Sequence, residues 1–467
     1  MIMEINVDKK EKTGSGLVKK YFDYIVIFVF YFPPHLFMGF DCWDDILYTS
    51  YLEDYHYNIF SFVVRQYQCW TSRIFIEAAN ILFGWLPPVL WMVVDTLMII
   101  LLYYSLTGII KLWVKELDEE WKYRSCFLLL FLSFPYALMG TAGWLTTTIN
   151  WTWMLALLVY SMKKLLYSIK GNGESGNIFM NILYCLAFLY ATNFDVSTLL
   201  MLCLLMLIGI ACYKSDLFMF SLEYREGLII TIVNLFLFIM CPGNRVRMVR
   251  DAVFHDTADM LSLSVWGKLR MGINSTFYHY MSIPNVVLFT ACVVIMIAVF
   301  RKRNDLFARI AACIPVGIVI LWTAYIFVAY TVKNRTLTYV YPDASFTVSP
   351  KTEQYLALIS ALVLVASYIY LLRLIIDETN AYLFLTAVFL VWGLLPEVVL
   401  GFTTTISASI LRVVSFFYFA LILTSAVIIG RVQLLKTQII WRGMILLGAL
   451  GTIMNYAQMI RHIMVYG

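Results

Sequence analysis

Runs of about 20 apolar residues, the length that crosses a ~30 Å hydrocarbon core, recur along this chain from Tyr21 to Ile460. They leave no stretch for a separate soluble domain. A backbone inside lipid must satisfy its own hydrogen bonds, so each run is expected to be a helix. The 467 residues are 62% hydrophobic and only 13% charged, which excludes a soluble globule of this size. The expectation is an all-α, polytopic transmembrane protein, one integral-membrane domain over residues 1–467 with about thirteen spans. The first run, Tyr21–Phe40, is too long for a signal-peptide core and leads into Asp41-Cys42-Trp43-Asp44-Asp45 rather than a small-residue cleavage site. It should remain as a membrane anchor.

Basic residues stay cytoplasmic, which sets the orientation. With the N-terminus and its Lys9, Lys10, Lys12, Lys19 and Lys20 inside, alternation keeps Lys111, Lys163, Lys164, Arg301, Lys302, Arg303, Arg431 and Arg442 inside as well. Two long segments then fall outside, residues 41–87 and 242–284, with a third from Thr331 to Gln354. In the first, Ile59–Tyr67 and Ile74–Ala79 mix large apolar residues with single charges, the pattern of outer-face helices lying along the interface. The second carries Arg245, Arg247, Arg250, Lys268 and Arg270 against the positive-inside bias. Moving it inside would carry Arg301-Lys302-Arg303 outside, so the violation points to a binding site. Gly171–Gly176 reads as a flexible connector.

No Gly-rich phosphate loop or nucleotide-binding stretch is evident, which argues against ATP-driven chemistry. Of the nine cysteines most fall inside apolar runs and no pair has metal-ligand spacing. Cys42 and Cys69 share the first outer segment, where a bridge would join them.

The polar residues that stand against this apolar background are the candidates for chemistry. Asp44 and Asp45 follow the first run directly; they serve either as helix caps or as a membrane-boundary general base or cation ligand. In Trp70-Thr71-Ser72-Arg73 an arginine stands beside an indole, suited to gripping a phosphate while the ring stacks on a sugar, although Trp also belongs at bilayer interfaces. The turn Gly143–Trp151 supplies hydroxyls, the Asn150 amide and indoles including Trp144, the inventory of a sugar-binding lip and equally of helix caps. Asn193 and Asp195 in the next outer turn share that ambiguity.

Cys241-Pro242-Gly243-Asn244-Arg245-Val246-Arg247 is the most specific element. A Pro-Gly break ends a span and delivers Asn244, Arg245 and Arg247 at headgroup depth, where a lipid phosphate would sit. Glu397 and Arg412 lie close to spans, and facing lipid would cost each of them several kcal/mol, so a cavity or partner is expected. Asp23 and Asp95 also interrupt apolar runs, and are expected nearer the inner side in structural pairs.

An apolar first helix, Asp44-Asp45-Ile46-Leu47-Tyr48 opening a long outer loop, Trp70-Thr71-Ser72-Arg73, a Gly-Trp…Asn-aromatic turn and Pro-Gly-Asn-Arg after a later span together resemble bacterial GT-C glycosyltransferases. Among these the multi-span enzymes that decorate O-antigen, teichoic acid or rhamnose wall polysaccharides are the nearest in pattern. Where such enzymes often carry Gly before the first-loop arginine, this chain has Ser72. The resemblance implies a bacterial plasma-membrane enzyme that moves a sugar from a polyprenyl-phosphate carrier to a cell-envelope glycan on the outer face. It also implies that Asp44 or Asp45 deprotonates the acceptor hydroxyl and that Arg245, Arg247, Arg412 and Arg73 hold the donor phosphate. Trp70, Trp144, Asn150, Asp195, Asn244 and Glu397 would then line the sugar and acceptor sites. One displacement would invert the anomeric centre. Members of the wider fold differ in their use of a divalent cation, so metal stays open; nucleic acid is not an expected partner. A transporter or flippase is the rival from another class, but no repeated halves are evident and the polar groups gather at one boundary. A glycan ligase or polymerase would share the arginine-rich donor site.

Overall fold

The computed structural model describes residues 12–40, 42–55, 58–114, 120–170, 178–214, 221–254, 258–282, 286–333 and 352–466. Among the described residues every regular element is helical. The first part of the chain forms α1 (Lys12–His35), α2 (Trp43–Asp54), α3 (Ile59–Cys69), α4 (Ile74–Trp85), α5 (Pro88–Trp113) and α6 (Glu120–Leu132). A short α7 (Trp144–Thr147) runs through a π-helical turn, Thr148–Trp153, into α8 (Met154–Ile169). Next come α9 (Ile178–Ala191), α10 (Asp195–Lys214), α11 (Leu222–Met240), α12 (Pro242–Phe254), α13 (Asp259–Ser262), α14 (Val265–Ser282) and α15 (Val286–Lys302). The remainder is α16 (Leu306–Lys333), α17 (Thr352–Ile375), α18 (Thr379–Ala387), α19 (Leu395–Leu400), α20 (Ile406–Arg431) and α21 (Gln438–Tyr466).

Seven described segments are long and apolar enough to cross a membrane: Pro88–Trp113, Glu120–Gly140, Leu306–Val328, Tyr355–Ile375, Thr379–Leu400, Arg412–Arg431 and Gln438–Val465. The pair α11 and α12, bent by 57° at Cys241, makes an eighth if taken as one span. This is the architecture of an all-helical membrane protein. The other apolar runs, among them those that form α1, α8, α9, α10 and α15, are helices outside those seven. α1 stops at His35, just after Pro33 and Pro34, rather than at Phe40.

The centre of the bundle is α20, in which residues 413–430 are all buried. A helix apolar on every side hides its whole circumference, and this one does so against α5, α6, α15 and α19. Two acids inside the bundle are spent on polar neighbours. Asp23 on α1 accepts from Tyr103 Oη at 3.0 Å and pairs with Arg124 Nε at 3.1 Å. At the His35 end of α1, Asp95 accepts from His35 Nε2 at 2.9 Å, Trp153 Nε1 at 2.8 Å and the Tyr136 hydroxyl. His35 Nδ1 meets the Tyr31 carbonyl at 2.6 Å. This corrects the expected depth of Asp95: it belongs with the His35 end of α1, the outer end in the topology above, because its partner is the last residue of that helix.

Cys42 and Cys69 are not joined by a disulfide, so that expected bridge is also corrected. The Gly171–Gly176 connector, Lys9, Lys10 and most of the third outer segment, residues 334–351, lie outside the described residues.

The long segments flanking the bundle are themselves helical. Residues 42–85 fold as α2, α3 and α4, and α12, α13 and α14 occupy most of 242–284. α3 packs on both α4 and α12, and α2 packs on α4 and α7. Gly243 in the first turn of α12 is pressed against the Trp70 amide and the Tyr67 and Gln66 carbonyls at the end of α3, a closeness that leaves no room for a Cβ. That seam brings two segments more than 170 residues apart into one layer.

Candidate active site

The two acids at the start of α2 have different surroundings. Asp45 is buried, and its carboxylate reaches across to α7: Oδ1 accepts from Thr146 N at 2.8 Å and Thr146 Oγ1 at 2.6 Å, while Oδ2 accepts from Leu145 N at 3.1 Å. It thus takes up amide donors that open the short helix, which its own neighbouring residues leave without a side-chain cap. Gly143, at φ +110°, turns the backbone so that the amides point at Asp45, and a Cβ there would strike the carboxylate. Burial pushes the Asp45 carboxyl up to about 6, against the lowering effect of the Thr146 and Leu145 hydrogen bonds. Its neighbour's backbone is fastened to the same turn, Asp44 N donating to the Ala142 carbonyl at 3.1 Å.

Asp44 itself is half-buried and lies within reach of the charges of several arginines. Burial raises its carboxyl above the ordinary range, and Arg412, Arg247 and Arg73, in that order, pull it back down; Asp251 raises it further. These arginines come from three segments of the chain: Arg73 ahead of α4, Arg247 on α12 and Arg412 in the second turn of α20. The structure therefore brings together Asp44, Arg73, Arg247 and Arg412 from the expected set.

Each of the first two guanidiniums is held by its own support. Arg73 is buried; its Nε donates to Thr71 Oγ1 at 3.0 Å, its Nη2 stands 3.9 Å from Glu77 Oε1, and its Cζ lies 5.0 Å from the Phe194 ring centre. Arg247 Nε pairs with Asp251 Oδ2 at 3.0 Å, and the guanidinium lies 5.2 Å over Trp70, an indole that Arg250 also approaches at 5.5 Å. Asn244 clasps the two long segments: its Oδ1 accepts from Ser72 N at 3.2 Å and its Nδ2 donates to the Phe238 carbonyl at 3.0 Å. Thr404 Oγ1 donates to the Met248 carbonyl at 3.1 Å, tying α12 to the turn that opens α20 and so to Arg412.

The remaining expected residues lie elsewhere. Arg245 is exposed on α12, two residues from Arg247 and so on a different face of the helix. Trp144 is buried, stacked on Tyr136 and edge-on to His462. Asn150, in the π turn, is buried and accepts from Asn80 Nδ2 at 3.3 Å. Asn193 Oδ1 accepts from Phe75 N at 2.9 Å, capping α4 from across the layer, while Asp195 opens α10 with its charge felt at the Cys241 thiol. Glu397 is buried in α19, directly after Pro396 and a π-helical stretch. Among the described residues no three His, Cys, Asp or Glu side chains gather as a metal-ligating group.

Glu77, Tyr48 and Asp251 were not singled out from the sequence. Two of the three carry a legible signal, since Arg73–Glu77 and Arg247–Asp251 are both acid–base pairs four residues apart.

The chain matches no family model, and comparison with curated proteins and with solved structures gives no match.

Proposed function

We propose that this protein is a membrane glycosyltransferase of the GT-C kind, moving a sugar from a polyprenyl-phosphate donor to a hydroxyl of a cell-envelope glycan at the outer face of a bacterial membrane. What carries the reading is the seam where Arg73 and Arg247 stand beside Glu77 and Asp251, with the half-buried Asp44 close enough to feel the charges of Arg412, Arg247 and Arg73. Charged groups at the edge of a bilayer are costly to assemble, and an acid facing several guanidiniums suits a reaction that takes up a proton and releases an anion. In this reaction Asp44 accepts the proton of the acceptor hydroxyl as its oxygen bonds to the anomeric carbon. The bond from that carbon to the phosphate oxygen breaks, its electron pair staying on the lipid phosphate. The three arginines stabilise the charge that grows there. One displacement inverts the anomeric configuration. Asp45, whose oxygens are taken by α7, supports the fold of the site instead.

Incubating the purified protein with radiolabelled polyprenyl-phosphate hexoses and cell-envelope glycans tests the reading. Label should pass to glycan with the parent chain and not with Asp44→Asn, while Asp45→Asn retains turnover in proportion to its folded fraction. Full turnover by Asp44→Asn would remove the base assignment. A second reading, transport of a lipid-linked glycan, is favoured by one feature, the buried Glu397 in an interrupted span. In reconstituted vesicles it predicts translocated label with no new glycosidic bond.

A further inference from the structure

We infer that Glu77 is the positioning residue that holds Arg73 and the Asp44-bearing helix α2 in one arrangement; its purpose rests on the glycosyl-transfer reading, its geometry does not. Glu77 lies in the first turn of α4 and is completely buried. Its Oε2 accepts from the Tyr48 hydroxyl on α2. Tyr48 follows Asp44 by four residues, so the two stand on the same side of that helix. Its Oε1 has no hydrogen-bond partner and stands 3.9 Å from Arg73 Nη2, one turn back along the chain. One carboxylate therefore joins the helix carrying the acid to the arginine that faces the acid.

The division of labour between the two oxygens matters. The Tyr48 bond fixes where α2 sits on α4, and hence how far Asp44 stands from Arg73. The other oxygen attracts the guanidinium from beyond hydrogen-bond length, which holds it in place without the forked pairing that would occupy its donors. Asp251 supports Arg247 from the opposite segment at 3.0 Å. Glu77 is the looser and more deeply buried of the two supports, and a charge buried there is sustained only by a partner of opposite sign.

Arginine labelling tests this without requiring turnover. The purified full chain is treated with phenylglyoxal and modification is followed residue by residue by mass spectrometry. Arg73 is buried and exposed Arg245 serves as the internal reference. In Glu77→Gln, which keeps the shape and removes the charge, Arg73 should react about fivefold to tenfold faster relative to Arg245, the response to losing about 1 to 1.4 kcal/mol of anchoring. Glu77→Asp, which restores the charge, should return much of the protection. Should Glu77→Gln fail to fold, Tyr48→Phe removes a single hydroxyl and should speed Arg73 labelling about twofold to threefold. An unchanged ratio in whichever variant folds overturns the inference. Absence of sugar transfer by the parent chain would overturn the enzymatic reading and leave the labelling result standing.

Discussion

Two polar clusters in this protein are each built on an aspartate and use it in opposite ways. Around Asp95 the groups close upon themselves: His35, Tyr136 and Trp153 all point at one fully buried carboxylate, and both its oxygens are bonded. Around Asp44 the arrangement stays open. Three guanidiniums from separate segments face one half-buried acid, and two of them lean on carboxylates of their own, Glu77 and Asp251. An ionisable group inside a membrane protein either welds helices together or is kept for a ligand. Asp95 is the first use, and under the proposed function Asp44 would be the second.

The contrast can be broken by substitution. The largest effect is expected at Asp44: Asn there should lower kcat for transfer by about 10² to 10⁴-fold with little change in melting temperature. Because burial raises the Asp44 carboxyl, the activity of the parent chain should fall on acidification at a pH above the ordinary carboxylate range, as the base is protonated. Asp95→Ala should behave in reverse. It leaves His35 buried opposite no acid, so thermal unfolding in detergent should show a loss of about 3–5 kcal/mol, with activity following only the folded fraction. A variant at Asp95 that keeps its stability and loses turnover would erase the distinction between the clusters.

Asp45 sharpens the comparison from the side of pH. Its carboxyl is pushed up to about 6, so the folded chain binds that proton more tightly than the unfolded chain does. The resulting stabilisation is complete below the ordinary carboxylate range and is lost as pH rises through about 6. Melting curves of the parent chain should therefore lose up to about 3 kcal/mol between acid and neutral pH, relative to Asp45→Asn, which cannot titrate. The smallest effect is expected at Arg245, exposed and turned from the cluster: Ala there should change stability by no more than about 0.5 kcal/mol and leave transfer near the parent rate. A loss at Arg245 as large as at Arg247 would mean that α12 presents its other face to the donor.

Much of the architecture was readable from apolar run length, because lipid imposes a helix on any long apolar segment; Pro88–Trp113 and Gln438–Tyr466 are two such helices. The charge pattern likewise marked the segments that carry Asp44, Arg73, Arg247 and Arg412. What run length and charge could not give was direction around a helix. Asp44 and Asp45 are neighbours about 100° apart on α2, and that rotation alone sends one to the arginines and the other to the α7 amides. Trp144 and Asn150 misled for a related reason. Indoles and amides suited to sugars are equally suited to filling a helix crossing, and only packing reveals which was chosen.

The bend at Cys241 makes α11 a strut of fixed height. Its 19 residues rise about 28 Å before the chain turns by 57° to carry Arg247 across. The length of that rod is close to the thickness of a hydrocarbon slab, whereas the Asp44 backbone is fastened to the turn before α7 through the Ala142 carbonyl. A rod of that length would tilt in a thinner bilayer, and the spacing between acid and cation would change with it.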